Sequence, residues 1–366
     1  MFFYSLMNRS PMMWLATIVS FLIFHCSLSN TITAMNDDLY EMDDDVTPTI
    51  GGLNSCIFGV KSVSIVLYTS NIPNGKVIGM NESCNLLDSS KPVFFMTHGF
   101  LANSHNYNFS DLANEMLKRD YTVFSIDWSN GSCYNDPAIL NLLEYPFAVY
   151  NVREVGDYLA NFIKSAIDVC HVPLSNITLM GHSLGSHISG FAAKQLQNLN
   201  YGKVPLLIGT DPASPLFELR TCTNRLCKSD AERVIVLHSS ALGLQVSLGH
   251  LDLWFNNGFR QPACGGSIIG GLNVNCSHNI AIVYLITLLD NYEYVGVPVA
   301  SRKIPLPNVI FGCSSDTTNC IVVDNKIIDR SSSTVGDYCV FVTSEYPYCT
   351  RKDVSCFKNM LLNLTL

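Results

Sequence analysis

Gly181-His182-Ser183-Leu184-Gly185 places a serine between two glycines, with histidines at 182 and 187 on either side. A G-x-S-x-G turn between a strand and a helix is a nucleophile elbow. The serine sits in a strained turn, and the small flanking residues keep side chains out of the neighbouring strand and helix. The following helix start then offers the Leu184 N–H to a developing oxyanion. Short glycine-serine turns are also common without any chemistry, so the motif counts only in its context. A lone serine is a poor nucleophile and needs a base that is held by an acid. In the hydrolase order the acid comes next and the histidine last. Asp211, in Gly209-Thr210-Asp211-Pro212-Ala213, directly follows the apolar run Val204 to Thr210, at the end of a strand where a parallel sheet gathers reacting groups. It could instead cap a turn before Pro212. Three later histidines are candidate bases: His238, at a strand end; His250, in Gly249-His250-Leu251-Asp252; and His278, just after Cys276. The first two equally suit a buried, hydrogen-bonded role. His278 is favoured because it stands at a loop-to-helix edge from which an imidazole reaches a neighbouring strand end.

These groups need elements to hold them. Apolar runs at Val63 to Thr69, Pro92 to His98, Thr122 to Trp128, Ile177 to Gly181, Val204 to Thr210 and Val234 to His238 read as strands. Helical spacing is found over Asp111 to Arg119, Tyr150 to Ala166, Leu184 to Leu196 and His278 to Leu289. Apolar strands alternating with helices predict an α/β fold with a parallel sheet covered on both faces. From about Ala300 the pattern changes to short runs, Ile321 to Val323 and Tyr338 to Thr343, among five cysteines. An antiparallel edge stapled by disulfides is expected there, within a single domain spanning residues 51–366.

Bulk composition narrows the class. The net charge is -8, 48% of residues are hydrophobic and only 14% are charged. That balance excludes a basic nucleic-acid binder and a disordered chain. Arg9 precedes the apolar run Pro11 to Cys26 and the small, polar Ser27-Leu28-Ser29, which reads as a secretory signal over residues 1–29. The run is shorter than the ~20 residues a membrane span needs. Residues 30–50 read as an acidic leader or pro-segment, with Met35 to Thr47 as its charged part. Fourteen cysteines, and N-x-Ser/Thr triplets at Asn81, Asn108, Asn130, Asn176, Asn275 and Asn363, fit a secreted, disulfide-bonded, glycosylated protein. Cys222 and Cys227 flank a four-residue loop and are natural partners. No H-E-x-x-H or calcium-loop motif is present, and serine chemistry needs neither metal nor cofactor.

Leu67-Tyr68-Thr69, Thr97-His98-Gly99-Phe100, Asp127-Trp128, Tyr145-Pro146, Asn151 to Gly156, Gly181 to Gly185, Asp211-Pro212-Ala213, Gly249 to Asp252 and Cys276-Ser277-His278 follow one another in an informative order. In these the chain resembles the secreted pancreatic-lipase family of α/β hydrolases, and most closely the short insect phospholipases A1. The resemblance implies Ser183 as nucleophile, Asp211 as acid, His278 as base, and the backbone N–H groups of Phe100 and Leu184 as the oxyanion hole. It makes His98, His182, His187, His238 and His250 structural. It also implies the pairs Cys56–Cys133 and Cys264–Cys276, the second closing a lid, and leaves Cys84, Cys170 and the C-terminal cysteines unassigned. Thr210 stands where the family has a hydrophobic residue, and Leu253 to Gly258 is a loose version of its aromatic-rich stretch; both bear on fine specificity.

Eleven residues, Gly265 to Asn275, lie between the lid cysteines, and the loop Ser239 to Leu248 is also short. Triglyceride lipases of the family have longer lids. With its last residue at Leu366 the chain leaves no room for their C-terminal β-sandwich. The resemblance thus implies a phospholipase A1 acting as a monomer on the sn-1 ester of phospholipids at a membrane or micelle surface. Ile268, Ile269 and Leu272 of the lid are equally readable as core residues. The rivals are a triacylglycerol or galactolipid lipase, and a non-catalytic, yolk-type relative that binds lipid.

Overall fold

A computed structural model of the chain describes residues 55–134, 141–265, 273–302, 313 and 320–349. The expected signal, the acidic leader and the centre of the lid, 266–272, lie outside these residues. The elements run β1 (Ser64–Thr69), β2 (Ile72–Ile78), α1 (Met80–Leu86), β3 (Val93–Thr97), α2 (Phe109–Leu117), β4 (Thr122–Asp127) and α3 (Asn141–Asp168). They continue with β5 (Ile177–His182), α4 (Leu184–Asn198), β6 (Val204–Thr210), β7 (Ala231–His238), β8 (Leu251–Phe255), α5 (Val274–Leu289), β9 (Tyr294–Val299), β10 (Ile321–Val323) and β11 (Gly336–Phe341).

The eleven strands of the described residues join one sheet in the order β10-β9-β11-β8-β7-β6-β5-β3-β4-β1-β2. Seven neighbours, from β11 through β8, β7, β6, β5 and β3 to β4, are mutually parallel. Successive side chains of a strand leave on opposite faces, and both faces here are apolar. Phe95, Leu179, Leu207, Val234 and Val236 pack with Val152, Val155, Leu159, Phe162 and Ile188 of α3 and α4. Phe94, Met96, Met180, Ile208, Ile235 and Leu237 pack with Leu112, Met116, Tyr284, Leu285 and Leu288 of α2 and α5. This is the expected α/β architecture, with α3 and α4 on one face and α2 and α5 on the other.

The antiparallel edge expected in the C-terminal part is present in β9, β10 and β11, and β1 and β2 add a second one at the opposite end. Other sequence expectations are corrected. The strand expected over Tyr338 to Thr343 is Gly336–Phe341; it pairs in parallel with β8 and antiparallel with β9. Helix α3 starts at Asn141, earlier than expected, and carries Pro146 in its second turn, where the proline removes one intrahelical hydrogen bond. Strand β2 looks like a turn in sequence, Ile72-Pro73-Asn74-Gly75, yet an edge strand accommodates a proline. Strand β8 went unread because Asp252 interrupts its apolar run.

Disulfides join Cys56–Cys133, Cys222–Cys227 and Cys264–Cys276, the three expected pairs. Two more join Cys84–Cys170, which ties α1 to the end of α3, and Cys313–Cys339, which staples β11; Cys320 is disulfide-bonded as well.

Candidate active site

Strand β5 ends at His182 and α4 begins at Leu184, so Ser183 is the whole connection. Its backbone is forced to φ 57° and ψ -121°, a region that side-chain-bearing residues rarely occupy. The strain persists because its surroundings leave no alternative. A Cβ on Gly181 would lie 2.1 Å from the Gly185 carbonyl oxygen, and one on Gly185 would lie 2.1 Å from that of Thr97. The two glycines therefore allow α4 to start hard against β5 and β3. The Ser183 N–H is fixed by the Thr210 carbonyl at 3.0 Å, which ties it to the end of β6, one residue before Asp211.

Asp211 is fully buried, and its N–H donates to the Leu237 carbonyl at 2.7 Å. Burying an ionised carboxylate costs several kcal/mol unless donors replace water. Oδ1 accepts the backbone N–H groups of Ser239 at 2.7 Å and Ser240 at 3.1 Å. Oδ2 accepts the Ser240 hydroxyl and, at 2.6 Å, Nδ1 of His278. Each such charge-assisted bond contributes about 1.5–3 kcal/mol, so four of them offset the burial. With Nδ1 donating to the carboxylate, Nε2 of His278 is the nitrogen left to accept a proton.

His278 is not at a helix start, as its spacing suggested. It lies in the second turn of α5, which begins at Val274 with Asn273 capping the Cys276 N–H at 3.1 Å. The Cys264–Cys276 disulfide anchors that turn, and Gln261 locks it to the rest of the site. Gln261 is 1% exposed; its N–H donates to the Ser277 hydroxyl, its amide donates to the carbonyls of Ser239 and Phe255, and its Oε1 accepts the Tyr284 hydroxyl. The His278 ring comes to 4.6 Å, between centroids, from that of His182, the residue before Ser183. Serine, aspartate and histidine thus come from the end of β5, the end of β6 and the second turn of α5. The His278 side chain is 12% exposed, so it reaches solvent while its partner does not.

The turn after β3 closes the site from the other side. A Cβ on Gly99 would lie 2.7 Å from that of Ser183, so the chain passes directly over the serine just before Phe100. His98 holds this turn: Nε2 accepts the Trp128 N–H at 3.0 Å, and Nδ1 donates to the Gly99 carbonyl at 3.0 Å. The Trp128 indole donates back to the His98 carbonyl at 2.8 Å. Leu101 is held at the Ser132 carbonyl, and the Phe100 ring meets Tyr145 edge-on at 5.1 Å. Among the described residues nothing accepts the Phe100 N–H. The Leu184 N–H opens α4, where the first donors of a helix have no partner within it.

The other histidines are engaged elsewhere. His182 is buried between Thr210 and Asn279, and burial with the nearby His278 pushes its pKa down to about 3. His187 accepts the Leu226 N–H and donates to the Ala213 carbonyl, and burial likewise lowers it to about 3. His238 pairs with Asp252 at 2.8 Å, stacked on Trp254. His250 lies before β8, at the opposite end of the sheet. Sequence reasoning missed Ser239, Ser240 and Gln261. Only their place in a loop following a strand end marked them. Among the described residues, the one group with ligand atoms close enough for a metal ion is Cys56, Cys133 and Glu144, and its two sulfurs are already joined to each other.

A strained serine at the end of a central parallel strand, with a histidine held by a buried aspartate near it, defines the class: the protein is an α/β hydrolase. The family model described as Lipase matches residues 60–348, and the chain belongs to that family. It is similar to a phospholipase A1 of Dinoponera quadriceps, 41% identical over 318 residues that cover 82% of this chain and 80% of that protein. A phospholipase A1 of Vespa crabro is 40% identical over 72% of this chain and 84% of its own length. One of Solenopsis invicta is 34% identical over 82% and 88%. The chain is accordingly a lipolytic carboxylic ester hydrolase.

Proposed function

We propose that the protein is a secreted phospholipase A1 that cleaves the sn-1 acyl ester of phospholipids through Ser183, His278 and Asp211. The observation that carries the triad is the 2.6 Å contact between His278 Nδ1 and a fully buried Asp211, next to a serine forced into an elbow. His278 Nε2 takes the Ser183 proton as the hydroxyl attacks the ester carbonyl. The N–H groups of Phe100 and Leu184 stabilise the oxyanion, each worth about 3 kcal/mol. The imidazolium then protonates the leaving glycerol oxygen, and water releases the acyl group in a second round of the same proton transfers. Asp211 stays ionised and keeps His278 in the tautomer that accepts at Nε2.

The phospholipid preference is supported by the names of the similar proteins and by the eleven residues separating Cys264 from Cys276. A short lid cannot cap a deep apolar cleft, which leaves room for a bulky polar head group at a membrane or micelle surface. Export is supported by the disulfides and the N-terminal apolar run. The test is product analysis on defined phosphatidylcholine and triolein, with Ser183→Ala as control. The proposal expects sn-1 fatty acid and 2-acyl lysophospholipid, both absent with the variant; fatty acid released mainly from triolein overturns the substrate assignment.

A further inference from the structure

Opposite the serine, the amino ends of β5, β6, β7, β8 and β11 surround a cavity of about 540 Å³. Six strand residues at ~3.3 Å each put roughly 20 Å between its edge at Ser175 and Ser183. Ser175, Glu232, Arg233, His250, Arg330 and Ser332 line it. Its donors outnumber its acceptors. Arg233 is 6% exposed; one of its guanidinium nitrogens donates to the Ile327 carbonyl at 2.9 Å, while its Nε is buried with no hydrogen-bond partner among the described residues. The Arg233 charge is thus only partly satisfied by protein acceptors, which favours an anion beside the guanidinium.

The neighbours of Arg233 agree. His250 accepts the Val234 N–H on Nδ1 at 3.0 Å, so its proton is on Nε2 and that nitrogen is a donor. Arg330, exposed, is braced on the Ser175 carbonyl and adds a second guanidinium. The pKa of His250 is lowered by burial and then by Lys228, Arg233 and Lys203, the signature of a locally positive field. The opposing charges are Glu232 and Asp329, both exposed, and Asp252, which is buried and engaged with His238.

We propose that this cavity binds a phosphate group, held by Arg233 and Arg330 with His250 and the serine hydroxyls, at a site separate from Ser183. Guanidinium pairs suit a tetrahedral oxyanion because their forked donors take two oxygens each. The phosphate is either free in solution or the diester of a phospholipid head group. The phospholipid arm rests on the function proposed above; the free-phosphate arm does not.

The test is calorimetric titration of the full chain at constant ionic strength with inorganic phosphate, with glycerophosphocholine and with chloride. Wild type is expected to bind phosphate saturably at one site, with chloride inert. Arg330→Glu and His250→Gln are expected to weaken binding roughly tenfold or more while hydrolysis of a soluble ester is unchanged. Glycerophosphocholine binding assigns the head group as ligand; its failure beside phosphate binding assigns the free ion. Absence of saturable phosphate binding in wild type, or equal binding by wild type and both variants, overturns the proposal whatever the outcome at Ser183.

Discussion

Two histidine–aspartate pairs lie at the same end of the sheet, and their contact distances barely differ: 2.6 Å for His278–Asp211 and 2.8 Å for His238–Asp252. Both aspartates are buried and both accept backbone N–H groups, Asp211 from Ser239 and Ser240, Asp252 from Leu248 and Gly249. The contrast lies in the second ring nitrogen. In His238 it is taken by the Leu244 carbonyl, and the ring is sealed against Trp254 with Arg302 over that indole's other side. In His278 the pair uses Nδ1, and the rest of a partly exposed ring faces the Ser183 turn. A carboxylate partner therefore does not by itself mark a base; the second ring nitrogen must also be left open.

Breaking each pair separates the two roles. His278→Ala is expected to lower kcat on a soluble ester by on the order of 10⁴-fold or more, with a melting temperature close to wild type. His238→Ala should do the reverse. It leaves Asp252 buried without its partner and frees the Ser239–Leu248 loop, at about 3–5 kcal/mol of stability, while residual activity per folded molecule stays within an order of magnitude. Denaturant midpoints measured beside kcat distinguish the two; a stable, inactive His238→Ala would make the second pair part of the chemistry.

Ser240→Ala probes the support of the first pair, because it removes one of four donors to Asp211. A drop in kcat of roughly tenfold, with KM unchanged and recovery in Ser240→Thr, is expected for a positioning residue. Equal loss in KM would mean that Ser240 touches substrate.

Acid acts through the buried, neutral rings. His187 has a folded pKa of about 3 against an ordinary 6.5, with burial as the chief cause. The unfolded chain takes up its proton first as pH falls, so the associated stability is complete above 6.5 and is lost on the way down to 3. The slope is at most about 1.4 kcal/mol per pH unit for such a ring. His187→Gln keeps both hydrogen bonds possible without titrating, and its stability should fall less steeply between pH 6.5 and 4; an identical slope would remove His187 from the account.

Much of this was legible in sequence. The G-x-S-x-G turn, the position of Asp211 after an apolar run and the order serine, aspartate, histidine depend on local spacing, which the chain displays directly. The choice among His238, His250 and His278 was not legible from spacing alone, since only tertiary packing decides which ring nitrogen stays open. Strand β8 was hidden for a related reason: Asp252 looks like a loop residue until His238, from a neighbouring strand, neutralises its burial. Ser240 and Gln261 are ordinary polar residues in sequence, and their value comes from contacts across 29 positions to Asp211 and 22 to Ser239.

The most direct measurement is covalent labelling with a serine-directed fluorophosphonate, read by mass spectrometry of the peptide containing Ser183. Wild type and His238→Ala should each take one adduct, on Ser183, in proportion to their folded fraction, and His278→Ala should take almost none. Full labelling of folded His278→Ala, or an adduct on any other serine, would contradict the assignment of nucleophile and base.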